Sequence, residues 1–534
     1  MMKRILFSSL CFILTLPVFA KVSNVFYSPI NPSEHFIVVL KSTVSSKGYL
    51  LNNKLQANEL IRFTDLELRS VFNHALNGFV VKGSIEDIYK LSANANVDYI
   101  EQDQTSRAST LERQINPPWG LDRIDQRNKT LNGEYTYDRN GTGVNVYVLD
   151  TGVRDSHNEF GTRAKDGRDI INNTNNINGD CNGHGTHVAA TIAGQLSGVA
   201  KQANIFSVRI LDCNGSGSMS NMAKGIDWVV ANGQKPAVIN ISAGGPAMNS
   251  VDTAVKNAVD AGFTVITAAG NDSSDACNKS PARAKEALTV GAIDSNDRRS
   301  GFSNYGQCVD VWAPGENIRS ASHVSDTSFR NSNGTSMAAP HVAGIAALYL
   351  QGARTASAKS VINAIMRKPT FGKVTDRKTS DTPNLLAYSL ATNNRYGIMH
   401  RYYNTNGKDH FFTANWSELQ SAPQSGWVYE GILGYVERWS SKGQPLYRYY
   451  NSRGIDHFYT TNYNELGDGT ANWKKEGIAG YLPAKSSQTT NIYRYWNSSV
   501  SDHHYTTNWS ELGSGTGSWK YEGVAGQIYK QPQD

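Results

Sequence analysis

The sequence predicts an α/β protein whose main domain surrounds a doubly wound parallel sheet, and three observations support this prediction. Its 534 residues are too many for one ordinary domain, and 39% of them are hydrophobic, as in folded globular chains. Residues 112–392 alternate β-branched runs with helical stretches, which is the pattern of parallel α/β domains. Residues 393–534 form a threefold repeat rich in Trp and Tyr, which predicts a separate all-β module.

The N-terminal segment, residues 1–20, has the pattern of an export signal. Lys3 and Arg4 precede an apolar stretch, and a small residue, Ala20, ends it at the expected cleavage point. A membrane anchor is the alternative, but a spanning helix needs about 20 apolar residues and this stretch is shorter. No later segment is long and apolar enough to span a membrane. We therefore expect a secreted, extracellular protein.

Charge and cysteine content limit the classes of binding partner and the disulfides that we expect. The formal net charge of +6 is small, and Lys and Arg are not clustered, so no nucleic-acid partner is expected. Four cysteines follow the signal, and an even number in an exported chain predicts two disulfides with three possible pairings. We prefer the pairing of sequence neighbours, Cys181 with Cys213 and Cys277 with Cys308. A metal site is less favoured because no CxxC spacing occurs.

Two segments with different patterns follow the signal. Residues 21–111 are polar but contain strand-like runs at residues 36–40 and 78–81, which predict a small α+β domain. In residues 112–392 the strand-like runs are apolar and β-branched. They lie at residues 144–149, 205–208, 237–241 and 264–267.

The first chemical motif is residues 148–153 (VLDTGV), in which an apolar strand ends in Asp150. Serine-dependent peptide hydrolysis needs a nucleophile, a base and a carboxylate that orients the base. Active sites of open α/β sheets lie at the carboxyl ends of strands, where Asp150 is placed. Taken alone, this aspartate is more often a turn residue or a helix N-cap.

The second motif is residues 182–189 (NGHGTHVA), in which His184 stands between two glycines at the start of a helix. The glycines let backbone approach the imidazole closely, and imidazole is a general base near neutral pH. A histidine that only packs at a helix start is an equally common reading. His187 makes a metal pair with His184 conceivable, but the glutamate of HExxH is missing.

The third motif is residues 333–344 (NGTSMAAPHVAG), in which Ser336 begins a helix of small residues. The helix N-terminus supplies backbone N–H groups that stabilise developing negative charge. Alone, this serine would be read as an N-cap, but the three motifs occur together.

In the chain order Asp150, His184 and Ser336, these motifs resemble the subtilisin superfamily of serine proteases (peptidase S8). Residues 118–126 (PWGLDRIDQ) and 382–386 (TPNLL) are similar to the mature ends of its proteinase K branch, in particular the aqualysin-like bacterial subgroup. The resemblance implies a subtilisin-like fold. It also implies an endopeptidase that cleaves protein and peptide substrates through an Asp-His-Ser triad and an acyl-enzyme.

The resemblance further implies the residues around the triad. Asn271, in residues 268–271 (AAGN), would complete the oxyanion hole. The substrate-binding edges and the primary pocket would be Gly215, Ser216, Gly217, Ser242, Ala243, Gly244, Ala268, Ala269 and Gly270. Edges that bind the substrate main chain imply broad specificity, and small apolar walls imply an apolar or aromatic P1 residue. A narrow processing protease of the kexin kind would need an acidic pocket, which these residues do not supply.

Calcium is the structural ion that the resemblance implies, with no cofactor for catalysis. Asp310 would bind one ion together with the carbonyls of Lys285 and Ala287, with solvated surface acids as the alternative. A second site would consist of Asp122, Asp125 and Gln126. The cysteine positions also agree with the aqualysin-like subgroup, which favours the preferred disulfide pairing.

Residues 21–111 resemble the I9-type inhibitor prodomain of this family, of ferredoxin-like topology, through residues 35–39 and 97–103. Such a segment assists folding and blocks its own active site until it is removed. The resemblance implies autocatalytic cleavage near Leu111.

The C-terminal repeat has a period of 46 or 47 residues, seen in the motif at residues 401–404, 448–451 and 494–497. We expect a closed threefold all-β arrangement, trefoil-like or propeller-like. The repeated residues His410, His457 and His503 each follow an Asp. One metal on the threefold axis is conceivable, but we prefer structural Asp–His hydrogen bonds inside each repeat.

The function of the repeats stays open at this point. Exposed Trp and Tyr suggest a glycan or cell-surface ligand, or the region is removed during secretion. A rival for the whole chain is a catalytically silent surface- or glycan-binding protein on a protease scaffold. Asp150, His184, Ser336 and Asn271 are all intact, which argues against that rival. We expect a monomer.

Overall fold

The computed structural model describes residues 25–26, 34–41, 49–72, 76–103, 111–177, 179–390, 396–420, 426–437 and 443–531. These residues belong to two compact units, which divide between Ser109 and Thr110. The expected signal and the expected boundary at residue 392 lie outside the described residues. Across the described part of the chain, no helix combines the length and apolar character needed to cross a membrane.

The first unit is a small α+β domain. Its elements are β1 (Val25–Phe26), β2 (His35–Leu40), α1 (Tyr49–Ile61), β3 (Glu67–Phe72), β4 (Gly78–Lys82), α2 (Ile85–Ser92) and β5 (Val97–Gln102). The strand order is β1-β5-β2-β4-β3, and β2 runs antiparallel to both β4 and β5. From β2 to β5 the chain follows the split βαββαβ arrangement. Apolar side chains of the sheet and of both helices form one core.

The second unit begins with a parallel α/β domain, here called the peptidase-like domain. Its elements are β6 (Glu112–Ile115), α3 (Trp119–Ile124), β7 (Glu134–Tyr137), β8 (Asn145–Asp150), β9 (Ala164–Asp169), α4 (His184–Ala193), β10 (Asn204–Arg209), α5 (Met219–Asn232), β11 (Ala237–Ile241), β12 (Gly245–Pro246), α6 (Asn249–Asp260), β13 (Thr264–Ala268), β14 (Lys279–Ser280), β15 (Leu288–Ile293), β16 (Val311–Pro314), β17 (Ile318–Ala321), β18 (Phe329–Ser332), α7 (Thr335–Gly352), α8 (Ala358–Met366), β19 (Thr370–Phe371) and β20 (Leu385–Leu386).

The main sheet of this domain has nine strands in the order β19-β20-β16-β15-β13-β11-β8-β10-β9. Its central strands β10, β8, β11, β13 and β15 pair in parallel. Every residue of β11, β13 and β15 is buried, because helices cover both faces of the sheet. Helices α4 and α7 pack with one apolar cluster and α5 and α6 with the other. The carboxyl ends of the parallel strands therefore open on one edge.

Helix α7 is buried along almost its whole length, which explains its small residues. A Cβ at Gly344 would lie 2.5 Å from the Cβ of Val199, so a larger residue would push α7 away from the loop that follows α4. This close packing holds the N-terminus of α7, with Ser336, at the open edge of the sheet.

The second unit ends in an all-β module with three repeats. Its strands are β21 (Tyr396–Asn404), β22 (Asp409–Thr413), β23 (Trp427–Glu437), β24 (Gln444–Asn451), β25 (Asp456–Thr460), β26 (Lys474–Leu482), β27 (Thr489–Asn497), β28 (Asp502–Thr506) and β29 (Trp519–Tyr529), with a short helix α9 (Trp509–Leu512). In each repeat a hairpin is followed by a strand that pairs back with its first strand. The short strands β22, β25 and β28 contact one another, so the arrangement closes threefold, as expected.

Aspartate–histidine hydrogen bonds join the three repeats around this centre. The Nδ1 atom of each histidine lies 2.6 Å from an aspartate oxygen, in the pairs His410–Asp502, His457–Asp409 and His503–Asp456. Each bond links two different repeats, so the expectation of bonds inside each repeat is wrong. The reason is that adjacent side chains of a strand point to opposite faces, which keeps each histidine from its own preceding aspartate. The three carboxylates meet within 4.8 Å of one another.

Candidate active site

The predicted site residues come together at the open edge of the main sheet. Asp150 is the last residue of β8, Asn271 follows β13, and Ser336 lies in the first turn of α7. His184 is the first residue of α4. A cleft of about 660 Å³ opens there, and it is lined by His184, Ser336 and Asn271. All predicted substrate-binding residues also line it: Gly215, Ser216, Gly217, Ser242, Ala243, Gly244, Ala268, Ala269 and Gly270.

Asp150 and His184 form a hydrogen-bonded pair behind this cleft. The Nδ1 atom of His184 lies 2.8 Å from Oδ1 of Asp150, which is fully buried and also accepts the N–H of Thr151 at 2.8 Å. Burial opposes a charged imidazole, but the negative charge of Asp150 and this hydrogen bond outweigh it and raise the pKa of His184. His184 also lines the cleft, and Nε2 is the ring nitrogen that Asp150 does not hold, so it can exchange a proton with a neighbouring group.

Asp180 holds the loop that carries His184. Its Oδ1 accepts the N–H of Gly183 at 2.8 Å and the hydroxyl of Thr151 at 2.9 Å, and its Oδ2 accepts the N–H of Thr186 at 2.9 Å. One buried carboxylate thus ties the start of α4 to the end of β8. Sequence reasoning missed this residue, although an Asp shortly before a helix that begins with Gly-His-Gly is a capping signal.

The Ser336 hydroxyl donates to the backbone carbonyl of Ser242, with 2.9 Å between the oxygens. In return the Ser242 hydroxyl donates to the carbonyl of Ser336 at 3.0 Å. These two bonds join the N-terminus of α7 to the end of β11. A rotation about the Cα–Cβ bond of Ser336 would turn its hydroxyl away from the Ser242 carbonyl and toward the cleft, which His184 also lines.

Thr335 orients the side chain of Asn271. Oδ1 of Asn271 accepts two hydrogen bonds from Thr335, from the backbone N–H at 2.8 Å and from the hydroxyl at 2.9 Å. The Thr335 hydroxyl in turn accepts the N–H of Gly270 at 3.1 Å. Because its oxygen is held in this way, the amide nitrogen of Asn271 points outward as a donor. Sequence reasoning missed Thr335, since its role depends on a partner 64 residues away.

Small residues form the far wall of the cleft. A Cβ at Gly270, where φ is +101°, would lie 2.4 Å from the Nδ2 atom of Asn304, so this wall accepts no larger side chain. Asn304 itself donates to the carbonyl of Ala269 at 2.9 Å. The wall at these residues is therefore held in place and uncharged.

His187, the other histidine of the second motif, does not face the cleft. It is fully buried, and its Nε2 lies 2.9 Å from the carbonyl of Ile318, to which it donates. Burial lowers its pKa to about 3. The neutral ring thus supports the packing of α4. This geometry does not support a metal site shared by His187 and His184.

The predicted calcium ligands Asp122, Asp125 and Gln126 lie together at the end of α3. The carboxylate of Asp122 accepts the N–H groups of residues 132 and 133, at 3.1 and 2.8 Å. Oδ2 of Asp125 accepts the N–H of Thr136 at 2.6 Å, while its Oδ1 is buried without a protein partner. Burial, aided by the charge of Asp122, raises the pKa of Asp125 to about 7. Gln126 uses its Nε2 on the carbonyl of Thr130 at 2.7 Å, which leaves its side-chain oxygen as a ligand.

The other predicted ligand set surrounds Asp310. This residue is buried, and its Oδ2 accepts the N–H of Thr289 at 2.7 Å. Thr289 lies just after the turn that contains Lys285 and Ala287, so the carboxylate of Asp310 lies beside that turn. A hard-oxygen set of one carboxylate and two carbonyls is compatible with this placement.

Both disulfides of the preferred pairing are present. Cys181 bonds Cys213 and Cys277 bonds Cys308, with Cα–Cα distances of 5.1 and 5.2 Å. The first disulfide lies beside the cleft, where Nδ2 of Asn182 donates to the carbonyl of Cys213 at 3.0 Å. It therefore ties the His184 loop to the edge that contains residues 215–217.

Comparison with known proteins agrees with this geometry. The sequence profile of the subtilase family matches residues 141–398, and a domain of unknown function, DUF5648, matches residues 398–529. An alkaline serine exoprotease A of Vibrio alginolyticus is 48% identical over 329 residues, which are 61% of this chain and 61% of that protein. An extracellular serine proteinase of Thermus sp. (strain Rt41A) is 48% identical over 345 residues, covering 64% of this chain and 83% of that protein.

A solved structure shows the same architecture. The crystal structure of a cold-adapted subtilisin-like serine proteinase superposes with a TM-score of 0.50 at 48% identity, covering 52% of this chain and 99% of its own. The fold and the cleft thus define a protein with the architecture of subtilisin-like serine proteases. The chain belongs to the subtilase family. Its match covers about three fifths of the Vibrio relative's length.

Proposed function

We propose that this protein is a secreted serine endopeptidase that hydrolyses peptide bonds with Asp150, His184 and Ser336. The observation that supports this most strongly is the 2.8 Å bond between His184 and the buried Asp150, at a cleft that also contains Ser336 and Asn271. A buried carboxylate that holds an imidazole near a serine hydroxyl is the arrangement that activates a serine nucleophile.

In the proposed reaction, the Ser336 hydroxyl turns from Ser242 toward His184. Nε2 of His184 removes its proton as the oxygen attacks the substrate carbonyl, and Asp150 stabilises the imidazolium that forms. The imidazolium then protonates the leaving amine, which leaves an acyl group on Ser336. Water attacks this ester, with His184 again acting as the base, and the acid product departs.

The charge that develops on the substrate carbonyl oxygen needs donors. The outward amide nitrogen of Asn271 is one, and the backbone N–H of Ser336 is another, since N–H groups in the first turn of a helix lack intrahelical partners. Because Thr335 already holds Asn271 in place, this donor needs no reorganisation during the reaction.

The substrate would lie as an extended strand between the two backbone edges of the cleft, residues 215–217 and 242–244. Main-chain hydrogen bonds of this kind are independent of side chains, so we propose broad specificity. The small apolar wall at Ala268, Ala269 and Gly270 would take an apolar or aromatic P1 side chain. Proteins and peptides are therefore the proposed substrates.

Secretion and maturation are further parts of the proposal. We propose that residues 1–20 direct export, and that residues 21–111 act as an I9-type prodomain that inhibits the site until autocatalytic removal. Support for the first comes from the relative named an extracellular serine proteinase. Support for the second comes from the βαββαβ topology of the first unit, which is small and compact on its own.

We also propose that calcium stabilises the peptidase-like domain. Asp122, Asp125 and Gln126 would hold one ion, and the buried Oδ1 of Asp125 supplies the reason, since a cation would satisfy an oxygen that the protein leaves unpaired. Asp310, with the carbonyls of Lys285 and Ala287, would hold the other. The ion would neutralise buried carboxylates and take no part in the reaction.

The experiment that tests the proposal compares the wild-type chain with Ser336→Ala, both expressed with calcium. We expect the wild type to lose its N-terminal region near Leu111 and to cleave casein at internal bonds, while the mutant keeps that region and is inactive. Intact masses of the wild type also show whether residues 393–534 persist. If both proteins stay full-length and casein is untouched, the assignment of Ser336 is wrong and the surface-binding alternative becomes the better account.

A further inference from the structure

The first repeat of the module carries an aromatic patch that is buried against the peptidase-like domain. The patch consists of His400, Trp416 and Tyr429, which are all at most 3% exposed. The ring centroids of His400 and Trp416 are 4.8 Å apart, and those of Trp416 and Tyr429 are 5.3 Å apart. Trp416 and Tyr429 belong to the same apolar cluster as the core of the peptidase-like domain. The patch is therefore an internal docking surface.

Helix α8 packs against this patch at residues 416–418. The backbone N–H of Ser417 donates to Oδ1 of Asn363 at 2.9 Å, and the Ser417 hydroxyl donates to the carbonyl of Lys359 at 3.4 Å. Lys359 and Asn363 are four residues apart, so they lie on one face of α8. Its other face, with Val361 and Ile365, is buried. The first repeat therefore holds an amphipathic helix.

Docking of α8 replaces a hydrogen bond that the other repeats make internally. In the second repeat the N–H of Asn464 donates to the side chain of Asn462, and in the third repeat Ser510 donates to Asn508, both at 3.1 Å. In the first repeat the corresponding Oδ1 of Asn415 is buried without a partner. In the first repeat, the side chain of Asn363 on α8 thus accepts the backbone N–H that the asparagine of the repeat itself accepts in the other two repeats.

The third repeat reproduces the same patch on the surface. Tyr493, Trp509 and Tyr521 occupy the corresponding positions, with centroids 4.8 Å apart for Tyr493 and Trp509 and 5.2 Å apart for Trp509 and Tyr521. These spacings match those of the buried patch within 0.1 Å. Here Trp509 is 42% exposed, and Val524, which lies opposite Tyr493 on the neighbouring strand, is 48% exposed. Tyr493 and Tyr521 are half-buried. Exposed aromatic clusters of this kind mark interaction sites.

The second repeat differs at one position and serves as an internal control. Lys475 stands where the other repeats have Tyr429 and Tyr521, and its Nζ lies 4.7 Å from the ring centre of Tyr463. The same ammonium group pairs with Asp468 at 3.0 Å. A charged, paired side chain makes this copy a poor apolar docking surface.

We propose that the partly exposed patch of the third repeat, Tyr493, Trp509 and Tyr521, docks an amphipathic helix of a partner protein. The helix lies on the three rings as α8 lies on the first repeat, and one of its amide side chains accepts the N–H of Ser510 in place of Asn508. The chain itself supplies the precedent, because the same ring arrangement already binds a helix in the first repeat. The module would thereby attach the enzyme to a protein target.

A stapled peptide tests this proposal on the full chain. The probe is a synthetic peptide of residues 356–368 with a hydrocarbon staple between positions 361 and 365, because a free helix of this length is marginal in water. The staple occupies the face that α8 buries in the peptidase-like domain. The protein carries Ser336→Ala so that the probe is not cut. Binding is measured by titration calorimetry.

We expect saturable binding of one peptide per chain. Trp509→Ala and Tyr521→Lys should each weaken it by about tenfold or more, since aromatic residues at the centre of an interface dominate affinity. The matched control, Tyr463→Ala in the second repeat, should leave affinity unchanged. Replacing Asn363 by Ala in the peptide should also weaken binding, because the bond to Ser510 is lost.

Three results would overturn the proposal. The first is an absence of saturable binding, and the second is binding that Trp509→Ala leaves unchanged. The third is binding of chitohexaose or cellohexaose, lost in Trp509→Ala, together with no binding of the peptide, which would make the patch a glycan site. Circular dichroism of each variant establishes that the module is still folded.

Discussion

The dependence of Asn271 on Thr335 can be tested with one conservative change. Thr335→Val keeps the shape of a fully buried side chain and the backbone N–H bond to Asn271, but it removes the hydroxyl. Two hydrogen bonds disappear, one to Oδ1 of Asn271 and one from the N–H of Gly270. Oδ1 of Asn271 then accepts one hydrogen bond from residue 335 instead of two.

The expected loss follows from the value of one neutral hydrogen bond. Such a bond contributes about 0.5–1.5 kcal/mol to holding the Asn271 amide in its orientation. Loss of that free energy from the transition state corresponds to about a two- to tenfold lower kcat. KM should change little, because the oxyanion donor acts on the transition state more than on the bound substrate. For comparison, removing the asparagine that donates to the oxyanion lowers kcat by about 10²–10³-fold in subtilisin, the protein after which the family is named.

The assay is steady-state hydrolysis of a chromogenic peptide by the matured enzyme. Thr335→Ser retains the hydroxyl and is the matched control, so it should have nearly the wild-type kcat. Equal activity of Thr335→Val and wild type would refute the orienting role of the hydroxyl. So would an effect confined to KM, or an equal loss in Thr335→Ser.

Three further predictions concern pH, calcium and the disulfides. A base acts only when unprotonated, and Asp150 raises the pKa of His184, so the acid limb of kcat/KM should have its midpoint above 6.5 and shift downward in Asp150→Asn. In thermal melts of the Ser336→Ala protein, calcium should raise the melting temperature, and Asp125→Asn should reduce that shift to the part that comes from the Asp310 site; a full shift in the variant would exclude the Asp125 site. Replacing Cys277 and Cys308 together by Ser opens a loop with a sequence separation of 31 and should reduce the free energy of unfolding by about 3–4 kcal/mol in the chain-entropy account. Denaturant unfolding of the same inactive protein measures that loss, and an unchanged midpoint would contradict it.

Much of the candidate site could be predicted because its information is local in the chain. The strand that ends in Asp150, the glycines around His184 and the helix after Ser336 are short motifs whose geometry their own residues dictate. Parallel strands then bring these ends to one edge, which is why distant motifs meet. The repeat period of the module was likewise readable, since each repeat must bury its apolar face against the others.

The remaining features depend on which residues are neighbours in space. Thr335 and Asp180 act through partners that lie on other elements, and nothing in their local sequence names those partners. The aspartate–histidine bonds join different repeats because strand geometry sends adjacent side chains to opposite faces.

The sequence by itself thus determined the family-defining motifs and the threefold repeat, and it favoured the cysteine pairing that the structure has. Only the tertiary structure decided that Trp416 is buried while its counterpart Trp509 is exposed. The two tryptophans have nearly the same local sequence, but α8 lies against only one of them. Burial is a property of the packed chain, so a repeated pattern has different surroundings, and different uses, in each copy.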